Sequence, residues 1–128
     1  MKPGHWMLDG EEVGVFDVPG PPVAKQRPRR SKDGHWYTPP ATVQYEATVA
    51  WCAQAAGLKL EPKTKYGVEI VMHLTTRRFD IDNAAKAVLD GMGQLPNWND
   101  IQVRCLLVRE VSVKDPNAEQ TMVRVTLR

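Results

Sequence analysis

Residues 66–92 read YGVEIVMHLTTRRFDIDNAAKAVLDGM, and the period of their apolar residues changes partway through. Tyr66, Val68, Ile70, Met72 and Leu74 alternate with Gly67, Glu69 and His73, the two-residue repeat of a half-buried strand. From Ile81 the repeat lengthens. Ile81, Ala84, Ala85, Val88, Leu89 and Met92 recur three and four residues apart, which predicts a helix over residues 82–92 with Gly91 and Gly93 ending it. A strand feeding a helix through a charged turn is the unit of a layered α/β domain.

Working outward, the same logic places the other elements. Val13, Val15, Phe16 and Val18 make a short first strand stopped by Pro19, Gly20, Pro21 and Pro22. A basic stretch follows, with Asp33-Gly34 as a hairpin turn between Arg29-Arg30 and Trp36-Tyr37. Thr38 before Pro39 and Pro40 predicts a capped helix start, and Val43, Ala47, Ala50, Trp51 and Leu58 a helix with its apolar side on a sheet, stopped at Gly57. Residues 101–113 and 121–127 read as two further strands, joined by a turn at Asp115-Pro116-Asn117. Residues 1–12 show no period and are expected to be a loose N-terminal extension; residues 13–128 form the domain. The expected fold is therefore a single α/β (α+β) domain: a mixed sheet of about four strands packed with two helices, with a basic hairpin near the N-terminus. One sheet face is expected to be covered by a partner subunit or to belong to a monomer.

A chain of 128 residues holds one core. Its formal charge of +2 excludes a histone-like tail or an acidic buffer protein, but the sum hides a cancellation. Residues 23–37 carry Lys25, Arg27, Arg29, Arg30 and Lys32 against Asp33 alone, a segment suited to an anionic partner. Cys52 and Cys105 are far apart and set in apolar surroundings, so reduced core thiols are expected rather than a disulfide or a metal knuckle. No apolar run is long enough for a membrane span or a signal peptide, which makes the cytoplasm the expected compartment. His5, His35 and His73 lack partners at ligand spacing, and no glycine-rich loop is present to hold a nucleotide cofactor.

The charged turn carries the chemistry. Asp80 and Asp82 flank Ile81 at the start of the helix, so both carboxylates can turn to one side while Ile81 enters the core, an arrangement that suits a hard cation. Asp82, Lys86 and Asp90 follow at four-residue intervals as one polar stripe. Two plainer readings compete: an acid at a helix N-terminus is a common cap, and Asp-Lys-Asp at this spacing is an ordinary surface ion-pair ladder. Asp100 can simply open the next strand. Against these readings, acids set among Arg77, Arg78 and Lys86 suit a metal that meets a phosphate.

The run RRFDIDNAAKAVLDGM (residues 77–92) followed by WNDIQV (residues 98–103) resembles the RusA-type Holliday junction resolvases, as do GPPVAKQRPR (residues 20–29) and YTPP (residues 37–40). The likeness runs from about Val13 to Leu127 and includes members from bacteria and their phages. It implies metal-binding acids at Asp80, Asp82 and Asp100, a catalytic lysine at Lys86, and supporting roles for Asp90 and Asn83. Well-known members carry two adjacent acids before the next strand where this chain has Asn99 and Asp100. The implied activity is a Mg2+-dependent endodeoxyribonuclease, with Mn2+ as a substitute, that resolves four-way DNA junctions by paired nicks in recombination and repair. The implied assembly is a homodimer, to which Trp51, Leu106 and Val108 contribute unless they are plain core.

Phosphate contacts are expected from Lys25, Arg27, Arg29, Arg30, Lys32, Arg77 and Arg78, with Trp36 and Tyr37 either stacking on an unpaired base or turned into the core. The alternatives are a metal-dependent nuclease of flaps or forks, and a DNA-binding module without catalysis.

Overall fold

The computed structural model describes residues 6–128. Strand β1 (Glu12–Pro19) leads to a small hairpin of β2 (Arg29–Arg30) and β3 (Trp36–Tyr37). Helix α1 (Pro40–Ala55), strand β4 (Tyr66–Leu74), helix α2 (Ile81–Met92), strand β5 (Val103–Ser112) and strand β6 (Gln120–Leu127) complete the chain. Four strands form one mixed sheet, as expected, and their order is β1-β6-β4-β5. Strands β4 and β5 run parallel, with α2 as their crossover, while β6 is antiparallel to both β4 and β1. Strands β5 and β6 therefore do not pair with each other across the turn that joins them; β4 lies between them. No helix among the described residues is long and apolar enough to cross a membrane.

Both helices lie on one face of the sheet. Tyr66, Val68, Ile70 and Met72 of β4 meet Val49 and Ala53 of α1 and Ala84, Val88 and Met92 of α2 in a single buried core. Strand β4 is not half-buried: all nine of its residues are buried. The reason lies on the opposite face, where residues of the segment expected to be a loose extension cover it. The backbone N–H groups of Met7 and Leu8 donate to the Glu69 carboxylate at 2.9 and 2.7 Å, and Leu8 is itself buried. Arg109 of β5 adds a 3.3 Å ion pair to the fully buried Glu69. A carboxylate in mid-sheet is tolerable because its charge is met from both sides. Residues 1–5, with His5 among them, lie outside the described residues.

Helix α1 departs from its expected register. Its N-cap is Pro39, not Thr38, with no side-chain cap bond, and its buried face is Thr42, Tyr45, Val49, Ala50, Cys52 and Ala53. Val43 and Trp51, expected in the core, are 50% and 68% exposed. Gly57, at φ 78°, ends the helix as predicted, in a conformation that costs glycine nothing. Gly91 does not end α2; Gly93 is its C-cap. A Cβ at Gly91 would lie 2.8 Å from the Glu46 carbonyl oxygen and 2.8 Å from the Val49 Cβ, so the missing side chain is what lets α2 press against α1. Cys52 is buried and Cys105 half-buried, both as free thiols.

Candidate nuclease cleft

Helix α2 sets the site. Asp82 stands in its first turn, where a negative charge meets the positive end of the helix dipole. Lys86 and Asp90 follow one and two turns on. Opposite them, Asp100 opens a 3-10 turn (Asp100–Gln102) whose position is fixed by hydrogen bonds. The Asn99 side chain accepts from the Ile101 N–H at 3.1 Å, and Gln102 Oε1 accepts from the Asn99 N–H at 2.7 Å. The Gln102 amide then donates to the carbonyls of Glu61 and Thr64, each at 3.0 Å, locking the turn to the loop before β4. Trp98 stacks on Tyr66 at 6.0 Å between ring centroids. Asn99 thus caps the turn that carries Asp100.

Asp82, Lys86, Asp90 and Asp100 surround one cleft of about 460 Å3, whose floor is Ile81, Ala85, Leu89, Leu106 and Val108. A second hollow of about 490 Å3 adjoins it, with Asp90 and Asp100 shared and Glu46 and Trp98 added. Asp80 lines neither. It precedes the helix in extended backbone (φ −74°, ψ 138°) and makes no side-chain cap bond, so Asp80 and Asp82 do not share a wall as expected. Leu106, 43% exposed, is cleft floor rather than core.

The ion-pair ladder of the plainer reading is absent. Among the described residues, neither Asp82 nor Asp100 nor Lys86 makes a side-chain hydrogen bond or ion pair. Asp90 does, but with Lys25, whose Nζ lies 3.1 Å from Asp90 Oδ2 and 2.8 Å from Glu46 Oε2. The hydrogen bond to Glu46, with Asp90 beside it, raises the Lys25 pKa above its usual value against the opposing effect of burial. Lys25 is therefore engaged within the protein. Glu46 is a site residue that the sequence pattern does not disclose, since nothing in the spacing of residues 25, 46 and 90 signals their meeting.

As a metal centre the cleft offers two carboxylates, Asp82 and Asp100, that both line it and have no partner among the described residues. Among the described residues no three acids, histidines or cysteines converge closely enough to enclose an ion. Two carboxylates nevertheless fit Mg2+, which keeps several waters and completes its shell with substrate phosphates.

The basic residues divide into two groups. Arg27, Arg29, Arg30 and Lys32 are exposed and have no ion pair among the described residues. Arg29 lies opposite Tyr37 in the hairpin and Arg30 opposite Trp36, with Trp36 68% and Tyr37 44% exposed, so the aromatics are not turned into the core. The Lys25 N–H donates to the Asn83 carbonyl at 2.9 Å, so the basic arm leaves directly from the first turns of α2. Arg77 and Arg78, by contrast, hold the turn after β4 in place. Arg77 pairs with Glu110 at 3.2 Å, and Arg78 makes two contacts, at 3.3 and 3.2 Å, to the buried Glu119. Glu119 also accepts from the Thr75 N–H and hydroxyl at 2.7 and 2.8 Å. These donors, the Thr75 N–H foremost, hold its carboxyl down at about 2.

The fold and cleft define a small α/β domain with an acid-and-lysine site beside an exposed basic arm. Residues 19–127 match the family model for endodeoxyribonuclease RusA, and the chain belongs to that family. No curated protein matches the chain closely enough to count as a relative.

Proposed function

We propose that this protein is a Mg2+-dependent endodeoxyribonuclease that resolves four-way DNA junctions by paired nicks, acting as a homodimer. The observation that supports this most is the state of the cleft charges: in a chain of an endodeoxyribonuclease family, Asp82, Lys86 and Asp100 line one cleft and, among the described residues, none has an ion-pair or side-chain hydrogen-bond partner. Like-charged carboxylates left unpaired along one cleft repel each other, whereas a surface ladder would have paired Asp82 and Asp90 with Lys86.

Asp82 and Asp100 would hold the divalent cation, and Asp80, the third acid of the family resemblance, would have to turn in from its place before the helix to join them. The bound ion would supply an activated water and neutralise charge on the phosphate. Lys86, four residues along the helix from Asp82, would place its ammonium against the negative charge that develops on the phosphoryl oxygens. The apolar floor of Ala85, Leu89 and Val108 excludes water from beneath these groups and strengthens their fields. Arg27, Arg29, Arg30 and Lys32 would grip the backbone of an arm of the junction, and Trp36 and Tyr37 would stack on a base left unpaired at the branch. Two opposed nicks require two sites related by a two-fold axis, which a symmetric dimer provides.

The test is incubation with an immobile four-way junction, a flap, a fork and a linear duplex, each with and without Mg2+. Paired symmetric nicks confined to the junction and dependent on Mg2+ are expected. Preferential cutting of flaps or forks would replace the junction reading with a broader branched-DNA nuclease. Tight binding without nicks, from protein that shows its Mg2+ response in melting, would leave a non-catalytic DNA-binding module.

A further inference from the structure

Lys86 and Asp90 are four residues apart on α2, the spacing at which a lysine and an acid on a helix ordinarily pair. Lys86 nevertheless makes no ion pair among the described residues. Asp90 is taken by a residue 65 positions upstream: Lys25 Nζ stands 3.1 Å from Asp90 Oδ2 and 2.8 Å from Glu46 Oε2. Three features give Lys25 the stronger claim. Its side chain is 23% exposed and Glu46's 12%, so their attraction is less screened than that of the exposed Lys86. Its backbone is pinned by the 2.9 Å hydrogen bond from its N–H to the Asn83 carbonyl, so holding the side chain in place costs less entropy. Glu46 on α1 anchors the ammonium from the other side, at the close helix crossing that Gly91 permits.

We propose that Lys25 is a positioning residue for Lys86: by holding Asp90 against Glu46 it keeps Asp90 from pairing with Lys86, and leaves the Lys86 ammonium free for the phosphate in the cleft. The proposal rests on the nuclease reading of that cleft. It reverses the expectation that Lys25 touches DNA, because a lysine engaged with two carboxylates has no spare charge for a phosphate. The basic arm and the reactive lysine are thereby tied together through one side chain.

The test uses the full chain carrying Lys25→Met, Lys25→Arg, and Lys25→Met combined with Asp90→Asn. Nicking at saturating junction is expected to fall about five-fold in Lys25→Met, the size of effect a single ion pair carries. Junction affinity and its salt slope should stay at wild-type values. Lys25→Arg should nick at close to the wild-type rate, and Asp90→Asn in the Lys25→Met background should restore the rate, since Asp90 can then no longer capture Lys86, and Asp82, the other acid four residues from it, is the one the metal would hold. A salt slope lowered by about one in Lys25→Met would make Lys25 a phosphate contact and overturn the proposal. Failure of Asp90→Asn to rescue would reduce Lys25 to a structural tie and overturn it equally.

A second readout needs no cleavage: acetylation of the Lys86 amine by acetic anhydride, followed by mass spectrometry on protein without DNA. Labelling should slow about two-fold or more in Lys25→Met and recover in the double variant, as expected when an exposed ion pair forms and is removed. If Lys25→Met does not fold, Lys25→Gln keeps a donor without the charge and carries the same expectation. Unchanged labelling in the folded variant refutes the proposal, whereas wild-type protein that fails to nick any junction refutes only the nuclease reading.

Discussion

Glu119, the residue before β6, holds the start of that strand to the turn that carries Arg77 and Arg78, through three kinds of donor: a backbone N–H, a hydroxyl and a guanidinium. Its carboxyl, held at about 2 against a usual 4.5, contributes stability that is fully present above pH 4.5 and is lost as the pH falls toward 2. Denaturant midpoints should therefore fall over that window in the wild type, and fall less in Glu119→Gln, which starts lower at neutral pH; parallel curves for the two would dissociate Glu119 from acid unfolding. At the cleft Asp82 and Asp100 have no such donors among the described residues, and the partner expected to stabilise them is a cation. Mg2+ at about ten times its dissociation constant should raise the melting temperature by about 5 °C, and Asp82→Asn should abolish that rise. An unmoved wild-type melting curve would leave the acids without their ion. The difference between these two sites is also the difference in what the sequence reveals. Asp82, Lys86 and Asp100 announce themselves through a spaced motif next to a helix start. Glu46 and Glu119 acquire their roles only when residues 21 and 41 positions away fold back on them, and no local pattern encodes that.

Helix α2 and helix α1 show the same contrast at the level of elements. In α2 the polar stripe of Asp82, Lys86 and Asp90 faces away from buried Ala84, Ala87 and Val88, and the period of the residues is enough to fix the buried face. In α1 small and apolar residues run all round: Ala41, Val43, Ala47 and Trp51 outward, Tyr45, Val49, Cys52 and Ala53 inward. Two stripes of equal apolar character leave the choice to tertiary packing, and the heaviest residue, Trp51, misleads toward the wrong one. Strand β4 is legible as a strand but not as a fully buried one, since the cover over Glu69 comes from residues whose own sequence has no period. The crossing of α1 and α2 gives the sharpest prediction at this scale. In Gly91→Ala the new methyl meets the Glu46 carbonyl and the Val49 Cβ, neither of which can swing aside, so the helices must separate. A loss of about 1–3 kcal/mol is expected in denaturant unfolding, the usual cost of overpacking. The same displacement moves Glu46, so junction nicking should fall further than Gly91→Ala alters junction affinity. A variant as stable as wild type would show that the helices have room to slide.

For the whole molecule, the formal charge of +2 is the residue of a division of labour. Lys25, Arg77, Arg78, Arg109 and Arg124 are committed to internal acids, and the cations left facing solvent near the cleft are concentrated on the arm: Arg27, Arg29, Arg30 and Lys32. The arm is joined to the cleft by the Lys25 to Asn83 backbone bond, so a DNA backbone held by the arm passes the acids of α2. Counter-ion release converts this picture into a slope. Each phosphate neutralised contributes about 0.9 to the fall of log K with log salt, so replacing Arg27, Arg29 and Arg30 together by alanine should flatten the slope by about 2.7 for each chain engaged. A monomer on one arm of the junction loses that amount once. A two-fold dimer with both arms on the DNA loses about 5, twice the single-chain amount, and the one measurement therefore reports the stoichiometry of the working complex along with the location of its grip. A slope that does not change would remove the hairpin from the interface and return the search for the DNA path to the exposed flanks of Arg77 and Arg104.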